Sequence, residues 1–125
     1  MAKRQPISFI ATDNPAEAQA FYGDVLGLEL LEVTPFALFF LDGDQTLRIQ
    51  IVPKLEPVSY TVHGWSVANI AEEIENVVAA GVVFQMFDQL PQDEHGIWTT
   101  PDGHKVAWFS DPNGNTLSLS QAVTP

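Results

Sequence analysis

The pattern of hydrophobic and polar positions along the chain predicts the same set of elements twice. Apolar residues at helical spacing follow Asn14 and stop at Gly27, and a second such stretch follows Asn69 and stops at Gly81. Each asparagine can cap a helix, because its side chain accepts hydrogen bonds from free backbone N–H groups, and each glycine suits the left-handed turn that ends one. The two caps are 55 residues apart and the two glycines are 54 apart. This spacing indicates an internal repeat.

Runs of β-branched and aromatic residues surround both helices in the same order, and such runs are typical of strands. The strands predicted for the first half are Ile7–Ala11, Leu28–Val33, Phe36–Leu41 and Thr46–Val52. Those predicted for the second half are Tyr60–Val67, Val82–Phe87, Lys105–Phe109 and Thr116–Ser120. Each half is therefore β-α-β-β-β, and Pro53–Pro57 is the predicted linker between the halves.

These elements predict an α+β fold: one domain over residues 1–125, built from two tandem βαβββ modules at about residues 5–53 and 58–122. A single helix covers only one face of an antiparallel sheet, so the other face is left open. We therefore expect the modules to form a curved mixed sheet around a cleft. The apolar strand positions should meet the helices, and the polar positions should line the cleft.

Alternation along the strands predicts which side chains line this cleft. They are Arg48 and Gln50 in the fourth strand and Ser118 and Ser120 in the last. Only five residues of the chain are basic, so Arg48 stands out. Its guanidinium could orient a carboxylate, carbonyl or phosphate of a ligand. It could equally lie exposed or pair with a glutamate, and the pattern leaves these alternatives open.

Two of the three tryptophans and one insertion are further features of the second half. Trp98 and Trp108 could form flat apolar walls of a binding site or pack in the core. The polar stretch Asp88–Gly96 leads into a short possible strand at Ile97–Thr100. A loop of this length is either a lid beside the cavity or an extended surface turn. We favour the lid, because Ile97 and Trp98 give it apolar residues to bury.

Composition narrows the function classes. The net charge of −11 argues against nucleic acid as a partner, because such a surface repels phosphates. No apolar run approaches the roughly 20 residues that span a bilayer, and the first residues lead into a strand-like run rather than a signal-peptide core. We therefore expect a soluble, cytoplasmic protein that binds no membrane. The absence of cysteine excludes disulfides, thiolate nucleophiles and thiolate metal ligands.

Two segments carry a resemblance to a known family: Ala20–Leu28, with the sequence AFYGDVLGL, and Trp108–Leu119, with the sequence WFSDPNGNTLSL. Over essentially its whole length the chain closely resembles the vicinal oxygen chelate superfamily, which includes glyoxalase I, the bleomycin-resistance proteins and the extradiol dioxygenases. The resemblance implies two βαβββ modules, a small-molecule site between the sheets and a homodimer. Such motifs are more specific for a fold than for an activity.

Metal-dependent members of that superfamily carry His, Glu or Gln at four strand positions that converge on one divalent ion. By resemblance, these positions fall at Pro6 or Ser8, at Arg48 or Gln50, at Val62 and at Ser118. Divalent cations prefer several carboxylates or imidazoles, and an arginine would repel them, so only Gln50 suits a metal. We expect no metal at this site and no cofactor, with a divalent metal as the alternative.

The histidines form no recognisable catalytic or metal-binding pattern. His63, His95 and His104 share no short ligand spacing, and each is expected to be a surface or structural histidine. No serine has the context of a nucleophile elbow, and the chain has no glycine-rich phosphate loop. Whether the protein is an enzyme is left open, with binding favoured over turnover.

Three functions follow as hypotheses. The leading one is a metal-free protein that binds a small molecule between its sheets, with a second copy completing the site. The alternative is a lyase, isomerase or dioxygenase that holds a divalent metal through Gln50 and a displaced histidine. The third is an accessory module with a vestigial cavity. The predicted ligand-binding residues are Ser8, Arg48, Gln50, Trp98, Trp108, Ser118 and Ser120.

Overall fold

The computed structural model describes residues 2–123, which form two compact units. The first unit ends at Pro57 and also contains Pro112–Asn115. The second unit consists of Val58–Asp111 and the residues from Thr116 onward. Each unit has one four-stranded sheet. None of the helices within residues 2–123 is long and apolar enough to cross a membrane.

The first unit contains β1 (Ile7–Thr12), α1 (Pro15–Ala20), β2 (Glu29–Val33), β3 (Ala37–Asp42) and β4 (Gln45–Ile51). The strand order in its sheet is β1-β4-β3-β2, with β1 parallel to β4 and the other neighbours antiparallel. Helix α1 continues into a π-helical turn, Phe21–Val25, in which the Leu26 N–H donates to the Phe21 carbonyl at 2.9 Å.

The second unit contains β5 (His63–Ser66), α2 (Ile70–Ala79), β6 (Trp98–Thr99), β7 (Lys105–Ser110) and β8 (Thr116–Gln121). The strand order is β5-β8-β7-β6, again with the first strand parallel to the last and the others antiparallel. The two sheets thus repeat one pairing scheme. The prediction of an α+β fold with two βαβββ modules is confirmed.

Both helices begin at the predicted caps. The Asn14 side chain accepts from the Glu17 N–H at 3.2 Å, and its amide donates back to the Glu17 carboxylate at 2.8 Å. The Asn69 side chain accepts from the Glu72 N–H at 3.1 Å. These bonds satisfy N–H groups that the first turn of a helix leaves free, which fixes where each helix starts.

The helices cover one face of each sheet, because α1 packs against β3 and α2 against β8. The covered face of the first sheet carries the fully buried residues Leu38, Phe40, Leu47 and Ile49. The covered face of the second carries Ala107, Phe109, Leu117 and Leu119. Burial of these apolar side chains stabilises each unit by roughly 25 cal/mol for each Å² removed from water. The opposite face of each sheet, which we call the open face, lies away from the helix of its unit.

The prediction of a strand at Val82–Phe87 is wrong. This segment makes a single bridge, between Phe84 and Phe109, before it leaves β7. The Gln92 side chain then binds the backbone that a longer strand would use: its amide donates to the Gln85 carbonyl at 2.9 Å, and its oxygen accepts from the Phe87 N–H at 2.6 Å. The edge of the sheet is completed instead by β6, within the short strand predicted after the insertion.

Candidate functional site

Strand register determines which residues share the open face of the first sheet. In β1 and β4, Phe9 lies beside Arg48 and Ala11 beside Gln50. In β3 and β4, Phe39 lies on the other side of Arg48. Arg48 and Gln50 therefore face the same way, as alternation predicts, and two phenyl rings flank the guanidinium.

Arg48 has aromatic neighbours and no acidic partner. Its guanidinium carbon lies 5.1 Å from the ring centroid of Phe39 and 5.8 Å from that of Phe9. Such cation–π contacts contribute about 0.5–1 kcal/mol each at exposed sites. No carboxylate within residues 2–123 comes within 4.0 Å of the guanidinium. The contacts with the rings orient the group, while its N–H donors stay available to an anionic or carbonyl group.

Ser8 lies on the other side of this sheet. It pairs with Leu47, so it shares the covered face with Leu47 and Ile49 rather than the open face with Arg48. Ser8 and Arg48, both predicted as ligand-binding residues, therefore face opposite ways. The reason is the register of the parallel pair: with Phe9 beside Arg48, alternation turns Ser8 towards the core.

Four predicted residues share the open face of the second sheet. In β7 and β8, Trp108 lies beside Ser118 and Val106 beside Ser120, and in β6 Trp98 lies beside Val106. The indole rings of Trp98 and Trp108 stack with centroids 6.3 Å apart and planes 26° apart. The structure thus brings Trp98, Trp108, Ser118 and Ser120 together on one surface of aromatic rings and hydroxyl groups.

A pocket of about 510 Å³ lies beside Trp108, and we call it the aromatic pocket. Its walls include Tyr60, Thr61, Phe87 and Leu90. The Trp108 indole N–H donates to the Thr61 hydroxyl at 3.1 Å, and the Phe87 ring stands edge-on to the indole with centroids 5.5 Å apart. No charged side chain of the described residues lines it, so it suits a flat, largely apolar group.

The insertion forms one wall of the aromatic pocket and is held by its own side chains. Leu90 lines the pocket. The Asp93 carboxylate accepts from the backbone N–H groups of His95 and Ile97, both at 2.9 Å, and the Gln92 amide donates to the Gly96 carbonyl at 2.8 Å. These bonds fix the position of the wall. Whether it opens as a lid stays a prediction.

Sequence patterns missed Tyr60, Thr61 and Phe87. All three lie outside the strands of the structure, since β5 begins only at His63. Alternation within a strand therefore says nothing about the direction of their side chains. A sequence signal did exist, because the aromatic residues Tyr60 and Phe87 stand at the ends of loops, where exposed rings often mark binding sites.

The donors at the family's metal positions do not fit a divalent ion. Of the residues at these positions, Ser8 faces the core, Arg48 is a cation, and Val62 has no donor in its side chain. His63 pairs with Leu117 and is therefore turned away from Ser118. No group of three or more His, Cys, Asp or Glu side chains in the described part of the chain could hold a metal ion.

Known proteins share the sequence pattern and the fold. The family model for the glyoxalase/bleomycin resistance protein/dioxygenase superfamily matches residues 5–119. No curated protein matches the chain in sequence. Similar solved structures include a lactoylglutathione lyase from Agrobacterium tumefaciens, which is 20% identical with a TM-score of 0.73 over 98% of this chain and 96% of that one.

Two further solved structures are similar over nearly the full length of both chains. A member of the same superfamily from Sphaerobacter thermophilus is 20% identical, with a TM-score of 0.73 over 97% of this chain and 98% of that one. The fosfomycin resistance protein FosX from Listeria monocytogenes is 15% identical, with a TM-score of 0.75 over 98% and 96%. At these identities the likeness shows a common fold.

Proposed function

Because the chain belongs to the glyoxalase/bleomycin resistance protein/dioxygenase superfamily, we propose that it binds a small molecule on the open faces of its sheets without a metal ion. The observation that carries this proposal is the chemistry of those faces. One presents a guanidinium with no acidic partner in the described chain, and the other presents stacked indoles beside a pocket. Such a combination suits binding better than turnover.

The ligand class follows from the two surfaces. Stacked aromatic walls favour a planar or apolar group, since rings bind rings through offset or edge-on contacts. A guanidinium favours a carboxylate, a phosphate or a carbonyl oxygen at one end of the ligand. We therefore propose a ligand with a flat apolar body and an anionic or carbonyl group. It would lie in the cleft that the sequence predicts between the modules.

The absence of a suitable donor set supports the metal-free part of the proposal. An arginine at a family metal position repels a cation, and Gln50 alone supplies too few donor atoms to bind zinc or a related ion. The same proposal includes a homodimer in the cytoplasm, with a second copy completing the site.

A ligand screen tests the proposal, with the thermal midpoint of unfolding as the readout. Candidates are aromatic carboxylates, dicarboxylates, aromatic cations and thiol conjugates. A ligand that binds only the folded state at 100 times its Kd stabilises it by about 2.7 kcal/mol. We expect an anionic aromatic compound to raise the midpoint of the wild type.

The matched variants are Arg48→Ala and Lys54→Ala. Each removes one positive charge, but Lys54 lies exposed in the linker and pairs with Glu56 at 3.3 Å. We expect Arg48→Ala to abolish the shift while leaving a folded protein, and Lys54→Ala to keep it. An unchanged shift in Arg48→Ala would remove Arg48 from the site. No shift with any compound would favour the accessory module instead.

A further inference from the structure

A second pocket, of about 340 Å³, lies in the second unit between α2 and the segments that follow it. Its walls come from Ile74 and Val78 on the helix, from the stretch 82–86, and from the end of the insertion at Gly96. We call it the α2 pocket. It shares no lining residue with the aromatic pocket. Its volume is within the roughly 300–1,000 Å³ of small-molecule sites.

The mouth of the α2 pocket exposes apolar side chains. Val83 is 82% exposed, Met86 62% and Val78 48%. Covering such a patch removes apolar surface from water, which is favourable, and a methionine thioether adapts to the shape of what covers it. The mouth therefore favours an apolar group of a ligand.

One end of the α2 pocket is acidic. The His95 ring lies between two carboxylates, with its Nε2 3.6 Å from a Glu75 oxygen and its Nδ1 4.0 Å from a Glu94 oxygen. No lysine or arginine of the described residues pairs with either glutamate, and none lines the pocket. Among the described residues His95 is the only basic side chain that lines the pocket, so at least one of the two negative charges has no counterion there.

Backbone hydrogen bonds to Asp93 hold one wall of the α2 pocket. The carboxylate of Asp93 holds the backbone N–H groups on both sides of Gly96, those of His95 and Ile97. Gly96 has a φ of +86°, and a Cβ at this position would lie 3.4 Å from the Phe84 Cβ. The backbone of the insertion around Gly96 is thus held close to Phe84, which fixes this wall of the pocket.

From these observations we propose that the α2 pocket binds an organic cation, namely an amine or quaternary ammonium ion with an apolar body. The apolar body would cover Val78, Val83 and Met86, and the cationic group would contact the solvent-exposed carboxylates of Glu75 and Glu94 beside the His95 ring. The net charge of −11 steers such cations towards the protein. This site is separate from the one proposed for the anionic ligand, and its proposal does not depend on that ligand.

The test compares three probes with the same apolar body: 4-phenylbutylamine, 4-phenylbutan-1-ol and 4-phenylbutyrate. Each is titrated into the full chain while backbone amide resonances are followed by NMR. We expect the amine to shift the resonances of Val78, Val83 and Gly96. We expect the alcohol to bind there more weakly and the butyrate to leave these three resonances unchanged.

Substitutions that remove one negative charge test where the cationic group of the amine binds. One unit charge at about 4 Å in water changes an affinity about fivefold. Glu75→Gln and Glu94→Gln should therefore each weaken amine binding about fivefold and leave alcohol binding unchanged. The control is Glu72→Gln, which removes the same charge from the same helix outside the pocket. It should change amine binding much less.

A substitution at the mouth of the α2 pocket tests where the apolar body of the ligand binds. Val83→Ser alters an exposed side chain, so the fold is kept, and it should weaken binding of both the amine and the alcohol. Equal affinities for amine and alcohol, or an equal loss in Glu72→Gln and Glu75→Gln, would overturn the proposal. So would amine-induced shifts confined to Thr61 and Trp108, which line the aromatic pocket.

Discussion

Gly64, on the open face of the second sheet, has no room for a Cβ on the side of Ser118. It lies beside Ser118, which is 8% exposed, and a Cβ at Gly64 would lie 2.9 Å from the Ser118 carbonyl oxygen. Its φ is not in the left-handed region, so the requirement for glycine here is steric. The absence of a side chain lets β5 approach β8 closely.

Gly64→Ala is therefore expected to destabilise the protein. Overpacking of this kind costs about 1–3 kcal/mol, and urea unfolding followed by tryptophan fluorescence measures it. The control is Ser66→Ala, at an exposed position two residues along the same strand, which should change the free energy of unfolding by less than about 0.5 kcal/mol. Equal stability of Gly64→Ala and the wild type would show that β5 and β8 can separate without cost.

Asp102 gives the protein a pH-dependent contribution to stability. The Thr100 hydroxyl donates a hydrogen bond to its carboxylate and lowers the pKa of Asp102 below the ordinary 3.8, and the nearby His104 lowers it further. The pKa of Asp102 is lower in the folded state than in the unfolded state. Its contribution to the free energy of unfolding is therefore fully present above the ordinary pKa and is lost as the pH falls through the pKa of the folded state. The group is fully exposed, so the effect is small.

Comparison of the wild type with Asp102→Asn tests this assignment. The wild type should be the more stable of the two above about pH 4, and the difference should shrink as the pH falls below that. Urea unfolding at a series of pH values measures it. A difference that is the same at every pH would show that the Asp102 carboxylate has no special stabilisation in the folded state.

Single residues were predictable where their role depends on close neighbours in sequence. Asn14 and Asn69 were recognisable as caps because each binds a backbone group three residues away. Ser8 was predicted only as a ligand-binding residue, and its direction was not predictable because it depends on the register of β1 against β4, which are separated by most of the first unit. The two phenyl rings beside Arg48 come from two other strands and were not predictable for the same reason.

Among the elements, the insertion has the greatest influence on the candidate site. It interrupts the edge of the second sheet, so that Phe84 and β6 each cover part of β7. Val82–Phe87 is rich in β-branched and aromatic residues, and local propensity favours a strand there. Tertiary hydrogen bonds from Gln92, five residues beyond Phe87, override that propensity.

Gln92→Ala is expected to loosen the insertion. The Phe87 N–H and the carbonyls of Gln85 and Gly96 lose their partner, at a cost of about 0.5–1.5 kcal/mol for each lost hydrogen bond. Amide hydrogen exchange should accelerate in residues 85–97, and ligands of the aromatic pocket should bind more weakly because Phe87 and Leu90 line it.

Asp88→Ala is the matched control for Gln92→Ala. It changes an exposed residue of the same insertion, and it should leave both exchange and binding as in the wild type. If Gln92→Ala also leaves both unchanged, the Gln92 hydrogen bonds do not hold the wall of the pocket in place.

At the scale of the whole molecule, two charge signals point in different directions. The net charge of −11 favours cations, whereas Arg48 favours an anionic group. The two proposed sites account for both signals, because the acidic end of the α2 pocket and the guanidinium lie in different units. Overall charge governs the rate of encounter, and local groups govern which ligand is held.

The overall architecture was predictable because it repeats. Two copies of the same cap, helix and glycine stop at nearly equal spacing leave few topologies that satisfy the short connections. The nature of the ligand was less predictable, since the family supplies one fold for several chemistries. Within that fold, Arg48 and Ser118 stand at metal positions of the family. Neither suits a divalent ion, so the central claim is that the protein binds its ligand without a metal.

The most direct measurement of that claim is the thermal shift caused by an anionic aromatic ligand before and after treatment with EDTA. Metal content is determined on the same samples, which are purified without chelators. We predict less than one tenth of an equivalent of zinc, iron, manganese or nickel and the same shift in both samples. A stoichiometric metal, with a shift that EDTA abolishes and added metal restores, would contradict the account and favour the metal-dependent lyase, isomerase or dioxygenase.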